Sequence, residues 1–450
     1  MLDFLVFLFI GALLLGMILN KEEENKLLLL IIGLFCIPAS AVALSQSPFL
    51  DVKGILLYLY IITSYVNSPT NFKESVRQFP FKIPCLVVLL FFIITAYLGA
   101  DGSIKRVYDS VRIYIDSFGF LFAAFSAGRK MNYEIFYKKF FILILVLCGL
   151  GFIEHFIHNN IPYQIICSAF PYYDGYVRLD GVVSFDQDWR YRINILTKHP
   201  TALGTMLCIF FLTILPLTKN YVSTSKKYLC LGLLFAVTLF SGSRTALLCI
   251  ALFSFYYFIS KKKIFSKMCI IVAIAVAASN VSETFIQDLT TKGQGSSIEL
   301  RQEQMAFSYL LFLQSPYFGN GLRFMEKYIV EDGKNGQKGI DNVGGLESIV
   351  FMLLIDQGIF GLISYFFFIC WMILFFRKQA KMGHTEGIQG LLVLSSCTLF
   401  FILSGHIGAN EVMCYTFVGM LAGGCVMAQK SSEKSNEKIH NASVPSPQKE

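Results

Sequence analysis

Eleven arginines are scattered through a chain whose positive charge is otherwise carried by lysine. Arg77, Arg129 and Arg377 lie within Lys-bearing clusters between apolar runs. The other eight, Arg106, Arg112, Arg178, Arg190, Arg192, Arg244, Arg301 and Arg323, fall in the intervening loops, against the bias that collects basic residues on the cytoplasmic side of a membrane. A guanidinium is a planar, permanently charged fork that meets phosphate oxygens two at a time. Arginines placed where topology does not call for them therefore point to an anionic or phosphorylated ligand on the outer face. Local pairing, such as Arg178 with Asp180 or Arg190 with Asp188, is the simpler account of any single loop arginine.

Arg244 is the sharpest of these. It stands in Ser241-Gly242-Ser243-Arg244, a small-residue break between two apolar runs. Leaving a guanidinium in hydrocarbon costs about 2.5–3.5 kcal/mol even on the gentlest insertion scale, so it must be paired, reach the interface or serve a function. The neighbouring hydroxyls and turn amides add donors to an anion site.

The elements that position these residues follow from composition. Of 450 residues, 55% are hydrophobic and 15% charged, with a mean hydropathy of +0.59, against about 25% charged in a soluble domain. This excludes a cytosolic enzyme. The net charge of +8 lies largely in short Lys clusters that positive-inside topology explains, so no nucleic-acid partner is implied. The twelve cysteines are scattered singly and form no disulfide framework or metal motif.

Apolar runs at 2–19, 27–44, 54–66, 83–99, 113–127, 140–157, 201–217, 228–240, 245–260, 268–279, 349–376, 388–403 and 412–428 predict an all-α polytopic membrane protein with about 12–13 transmembrane helices. The first run is read as a retained span rather than a signal peptide. Placing the Lys clusters on one side puts the C-terminus in the cytoplasm and two long loops outside. The expected organisation is N-terminal helices over 1–157, a first outer loop over 158–200, central helices over 201–279 with the Arg244 hairpin, a large outer loop over 280–345, C-terminal helices over 346–428 and a disordered cytoplasmic tail over 429–450. Within the second loop, 297–314 has the apolar spacing of an amphipathic helix suited to a membrane surface. Asp116 and Asp356 read as the only carboxylates well inside apolar runs, and Asp356-Gln357-Gly358 suggests a broken helix.

Several segments resemble a known family. Tyr191-Arg192-Ile193-Asn194 with Lys198-His199-Pro200 and Leu203-Gly204 is similar to the Arg...(His/Asn)-Pro entry of the O-antigen polymerase and ligase superfamily. Ser241 to Leu248 resembles its Ser-Arg-x-x-Leu hairpin. Arg301 with Ser315-Pro316-Tyr317-Phe318-Gly319-Asn320-Gly321 resembles its Arg...Pro-x-x-Gly-x-Gly pattern, and Leu346-Glu347-Ser348 with Gln357 to Leu362 its closing helix. Family ligases usually carry His-Asn before that helix. Asp341-Asn342 stands here instead, which favours the polymerase branch.

The resemblance implies a GT-C-like glycosyltransferase of the bacterial cytoplasmic (inner) membrane, working at its outer face. Its substrate would be an undecaprenyl-pyrophosphate-linked oligosaccharide, its surroundings the lipid bilayer, and its protein partners a chain-length regulator and a flippase of the same pathway. No cofactor and no metal are expected, since arginines can stabilise a departing pyrophosphate. On this reading Arg244 and Arg301 hold the pyrophosphate, assisted by Arg192, Arg190 and Arg323. Glu347, Asp341 and His199 are the candidate bases, Glu347 first because partial desolvation at a helix mouth would make it a better base. Its simpler role is as a carboxylate at a helix N-terminus, and that of His199 is as a cap for the following span. His155 and His158 read as interfacial polar residues. The alternatives are an O-antigen ligase, or a transporter or flippase for lipid-linked oligosaccharide, which would be expected to show internal repeats and charged residues deep in its spans.

Overall fold

Where water is absent a chain must satisfy its own N–H and C=O groups, and coiling is how an apolar run does so. In the computed structural model, twelve of the thirteen runs coincide with helices, and the run at 268–279 lies outside the described residues. The structure describes residues 2–37, 42–44, 50–98, 104–168, 186–187, 190–197, 199–260, 297–322, 324, 348–404 and 409–443.

The helices are α1 (Leu2–Leu19), α2 (Glu23–Cys36), α3 (Val52–Asn67), α4 (Pro69–Gln78), α5 (Lys82–Leu98), α6 (Ile104–Gly128), α7 (Tyr133–Ile157), α8 (Ile161–Ser168), α9 (Pro200–Ile214), α10 (Thr224–Ser241), α11 (Arg244–Ser260), α12 (Ser297–Gln314), α13 (Ile349–Lys381), α14 (Thr385–Ser404) and α15 (Ala409–Ser443). Two short antiparallel pairs accompany them: β1 (Val42–Leu44) with β2 (Leu50–Asp51), and β3 (Asp186–Gln187) with β4 (Arg190–Tyr191). The protein is an all-α polytopic membrane protein.

The number of full-length spans differs from the number of apolar runs. Among the described residues four helices are long and apolar enough to cross a membrane: Tyr133–Ile157, Ile349–Lys381, Thr385–Ser404 and Asn410–Glu433. A fifth candidate joins Lys82–Leu98 to Pro69–Gln78 across a 78° bend, although the polar sequence of Pro69–Gln78 keeps that helix out of an apolar layer. Val52–Asn67 and Pro200–Ile214 are apolar but short. At 1.5 Å per residue, about 16 residues reach about 24 Å, less than the ~30 Å hydrocarbon core.

Two expectations are corrected. The run at 27–44 is cut because Ile37 precedes Pro38 and takes an extended backbone (φ −91°, ψ 122°), so α2 stops at Cys36. The tail, expected to be disordered from 429, continues α15 as far as Ser443. Elongating an existing helix adds a hydrogen bond per residue without a new nucleus, and Gln429 bonds Glu433 one turn on at 3.1 Å.

The bundle centre is apolar and continuous. Phe140, Phe210 and Phe417 bring α7, α9 and α15 together, with ring centroids 5.1–5.6 Å apart. Helices α6 and α15 pack backbone to backbone. Side chains at Gly128, Gly419 or Gly423 would collide with the main chain of Met420, Leu121 or Phe125.

Ionic and polar contacts join several of the connecting segments. Lys139 meets Glu22 (3.7 Å) and Asn25 (2.5 Å), Arg129 and Lys430 both meet Glu74 (3.3 and 2.6 Å), and the Tyr221 hydroxyl donates to Glu386 (3.2 Å). Each contact joins two segments that charge patterning places on the same side.

Candidate active site

The site is built outward from a carboxylate in the last turns of α7. Glu154 is 3% exposed. Its Oε1 accepts the Asn194 N–H (2.9 Å) and the Tyr191 hydroxyl (3.2 Å), and its Oε2 accepts the Ile195 N–H (2.7 Å). Asn194 accepts from Asn160 Nδ2 (2.6 Å) and donates to the Thr197 carbonyl (2.7 Å). Ile195 sits at φ 50°, a left-handed conformation that costs a β-branched residue on the order of 1–3 kcal/mol. The surrounding bonds offset that cost and hold 191–197 as one unit, tied to α10 by Ile193 N–H to Phe240 O (3.3 Å).

Arg192 projects from this unit. Its Nε donates to the Ser241 carbonyl (3.0 Å), and its stem lies against Gly242, where a Cβ would come within 2.9 Å of Nε. Gly242, at φ 63°, is the left-handed cap that ends α10 and turns the chain into α11. Ser243 follows, 2% exposed, its side chain seated in the space left by Gly204 of α9. Its hydroxyl has no hydrogen-bond partner among the described residues. Arg244 opens α11 with an exposed side chain, where the helix dipole and the first amides favour an anion. Thr245 Oγ1 and Ser404 Oγ, 2.6 Å apart, fasten this end to α14. Arg192 and Arg244 thus flank a single turn.

A second unit joins the large loop to α13. Gly358, at φ 65° and ψ −167°, breaks that helix. The following amides are satisfied by the loop at 315–322: Ile359 N–H donates to Pro316 O (2.9 Å) and Phe360 N–H to Tyr317 O (3.3 Å). In return Asn320 N–H donates to Ile355 O (2.8 Å) and Gly321 N–H to Asp356 O (3.0 Å). Helix α12 leads into this loop at the residues expected. Its buried side carries Gln304 at 1% and Ser308 at 3% exposure beside Leu311, which packs with Ile355, whereas Met305, Tyr309, Leu310 and Leu313 face outward.

The structure brings Arg192 and Arg244 to one turn. His199 is the N-cap of α9, its Nδ1 accepting the Thr201 N–H at 3.1 Å, so Nε2 is the nitrogen through which it would act on a substrate. Arg190 lies in β4 and Arg301 in α12, both placed by their backbone. Glu347, Asp341 and Arg323 lie outside the described residues. Arg112 is held by Asp116 (3.3 Å) and Asp51 (3.8 Å), so this outer arginine is an ion-pair partner. His155 stacks on Phe240 and His158 on Tyr191, with centroids 3.9 and 5.3 Å apart.

Besides Asp116 and Asp356, two further carboxylates are the most deeply buried among the described residues. Glu154 is one. Glu411 is the other, 2% exposed, accepting from Tyr415 (2.7 Å) and Tyr365 (3.3 Å). The signal for both is an acidic residue within or beside a long apolar run.

Residues 229–366 match a family model described as O-antigen ligase. This chain carries a domain of the O-antigen polymerase/ligase superfamily. No curated protein matches the sequence. The superfamily domain spans α10, the Ser243–Arg244 turn, α11, α12, the 315–322 loop and α13 through the Gly358 break. Superfamily members are glycosyltransferase-like enzymes, polymerases or ligases. Arg192 and His199 lie before the matched segment, and Arg192 reaches its turn from the Glu154-bound unit.

Proposed function

We propose that the protein is a polysaccharide polymerase that joins undecaprenyl-pyrophosphate-linked oligosaccharide repeat units at the outer face of the cytoplasmic membrane. The observation that carries this reading is the meeting of Arg192 and Arg244 at the turn opening α11, beside the unfilled Ser243 hydroxyl.

In the reaction, an acceptor sugar hydroxyl attacks the anomeric carbon of the donor. The new C–O bond forms as the bond to pyrophosphate breaks, and the electron pair leaves with the diphosphate. Guanidiniums, a helix N-terminus and a hydroxyl donor stabilise that charge where it develops. The acceptor proton passes to a base, for which Glu347, Asp341 and His199 are the candidates. Arg301, Arg190 and Arg323 assist the diphosphate site.

Two features weigh against the transporter alternative. The broken helix at Gly358 is filled by the protein's own loop, rather than left as an open midplane site. The arginines gather in segments expected on one face. Deleting the gene and resolving surface glycan by size tests the reading. Loss of the polymerase leaves single repeats on the lipid core, loss of a ligase leaves no glycan attached, and an unchanged ladder would contradict both.

A further inference from the structure

The geometry points to Glu154 as a positioning residue of the diphosphate site, one that acts through Arg192 rather than on substrate. This rests on the reading that Arg192 binds the donor diphosphate. Both Glu154 oxygens are occupied, Oε1 by the Asn194 amide and the Tyr191 hydroxyl, Oε2 by the Ile195 amide, so the carboxylate is turned inward and is not offered as a base. What it grips is the main chain just after Arg192. Two consecutive amides can point at one carboxylate only in a restricted backbone geometry, and here Ile195 is held left-handed. Tyr191, on the other side of Arg192, is bound to the same carboxylate. The arginine is therefore bracketed by Glu154 contacts, and its Nε reaches Ser241 O at 3.0 Å from that fixed base. A carboxylate near a diphosphate would repel it if exposed. Burial at 3% with three donors screens that charge while using it to orient a cation.

Glu154→Gln tests this at constant size. The amide keeps one acceptor oxygen but turns an NH2 toward the second N–H, so the 194–195 backbone must shift and carry Arg192 with it. Misplacement by about an ångström costs a reacting geometry up to about a hundredfold. The measurement is retention of undecaprenyl pyrophosphate by the detergent-solubilised full-length protein, which remains readable in inactive variants. E154Q is expected to weaken retention about tenfold, Arg192→Ala at least as much, and the double variant no more than R192A alone, because the two act through one group. Multiplying losses, or E154Q retention equal to wild type beside a weak R192A, would overturn the positioning role and leave the diphosphate reading standing. Wild-type retention by R192A would overturn that reading and this one together. Should E154Q fail to fold, Tyr191→Phe removes one donor from Oε1. It is expected to give a smaller loss that likewise disappears in the R192A background, and a loss that persists there contradicts the proposal.

Discussion

Gly204 lies directly beneath Ser243: a methyl group added at 204 would fall on the Ser243 Cβ and within 2.7 Å of its Oγ. A helix on one side of the site and the turn on the other are fitted through this single missing side chain. Gly204→Ala should displace the turn that carries Arg244, at an overpacking cost of about 1–3 kcal/mol. We expect a lower melting temperature in detergent and a shortened glycan ladder. Ser243→Gly in the same chain should restore the melting temperature by removing the obstructing Cβ, but not the ladder, because it also removes the Ser243 hydroxyl. No effect of G204A on either readout would show that the fit does not matter.

The break in α13 gives a second prediction. Gly358 has a positive φ, and a Cβ there would lie 2.5 Å from the Tyr317 carbonyl. Gly358→Ala should therefore cost more than the ~1 kcal/mol span of ordinary helix propensities, because strain and a backbone clash add. Thermal unfolding of the purified protein checks this. A G358A variant as stable as wild type would mean that the 315–322 loop is not docked in the break.

These two sites differ in how far the sequence disclosed them. Asp356-Gln357-Gly358 within an apolar run announced a break, and Ser241-Gly242-Ser243-Arg244 announced a turn bearing a charge. The steric partnership of Gly204 with Ser243 could not be read, because an α-helical glycine carries no local signature of what packs on it. Glu154 lies near the end of the 140–157 run, where position alone does not separate an interior carboxylate from one at the helix mouth, and its partners Tyr191, Asn194 and Ile195 lie 37–41 residues away across a loop with no periodicity. The shortened α2 was legible in Pro38, and the helical tail was obscured by its polar composition. For α12, spacing alone gave the helix, while only the structure shows that the apolar side faces out.

That outward apolar face is the kind that suits a membrane surface. Tyr309 and Leu310 are 60% and 64% exposed, and Tyr317 stacks on Phe360 of α13 at 6.1 Å, continuing the apolar surface of a spanning helix. An environment-sensitive fluorophore at Leu310→Cys should be quenched by brominated lipid and resist aqueous iodide. Quenching by iodide alone would place α12 in water.

At the other end of the bundle, Glu74 receives the Lys430 ammonium at 2.6 Å and lies 3.3 Å from Arg129. The Lys430 hydrogen bond first, and the charges of Arg129 and Lys430 after it, hold this carboxyl below the ordinary glutamate range. A carboxylate depressed in the folded state contributes stability above its unfolded pKa and loses it as pH falls through the folded value. Wild type should thus be more stable than Glu74→Gln at neutral pH, with the difference closing in acid below the usual glutamate range. Because Glu74 is 43% exposed, the effect is expected to be small and to shrink with salt. A difference that stays constant across that window would remove the ion-pair account.

The account stands or falls on a guanidinium fork at the mouth of α11. The direct measurement is the size distribution of surface glycan in cells whose sole copy carries Arg244→Lys, with membrane levels of the protein matched to wild type. Lysine keeps the charge but not the two-pronged geometry. The account predicts collapse of the ladder to single repeats, whereas a full-length ladder would contradict it.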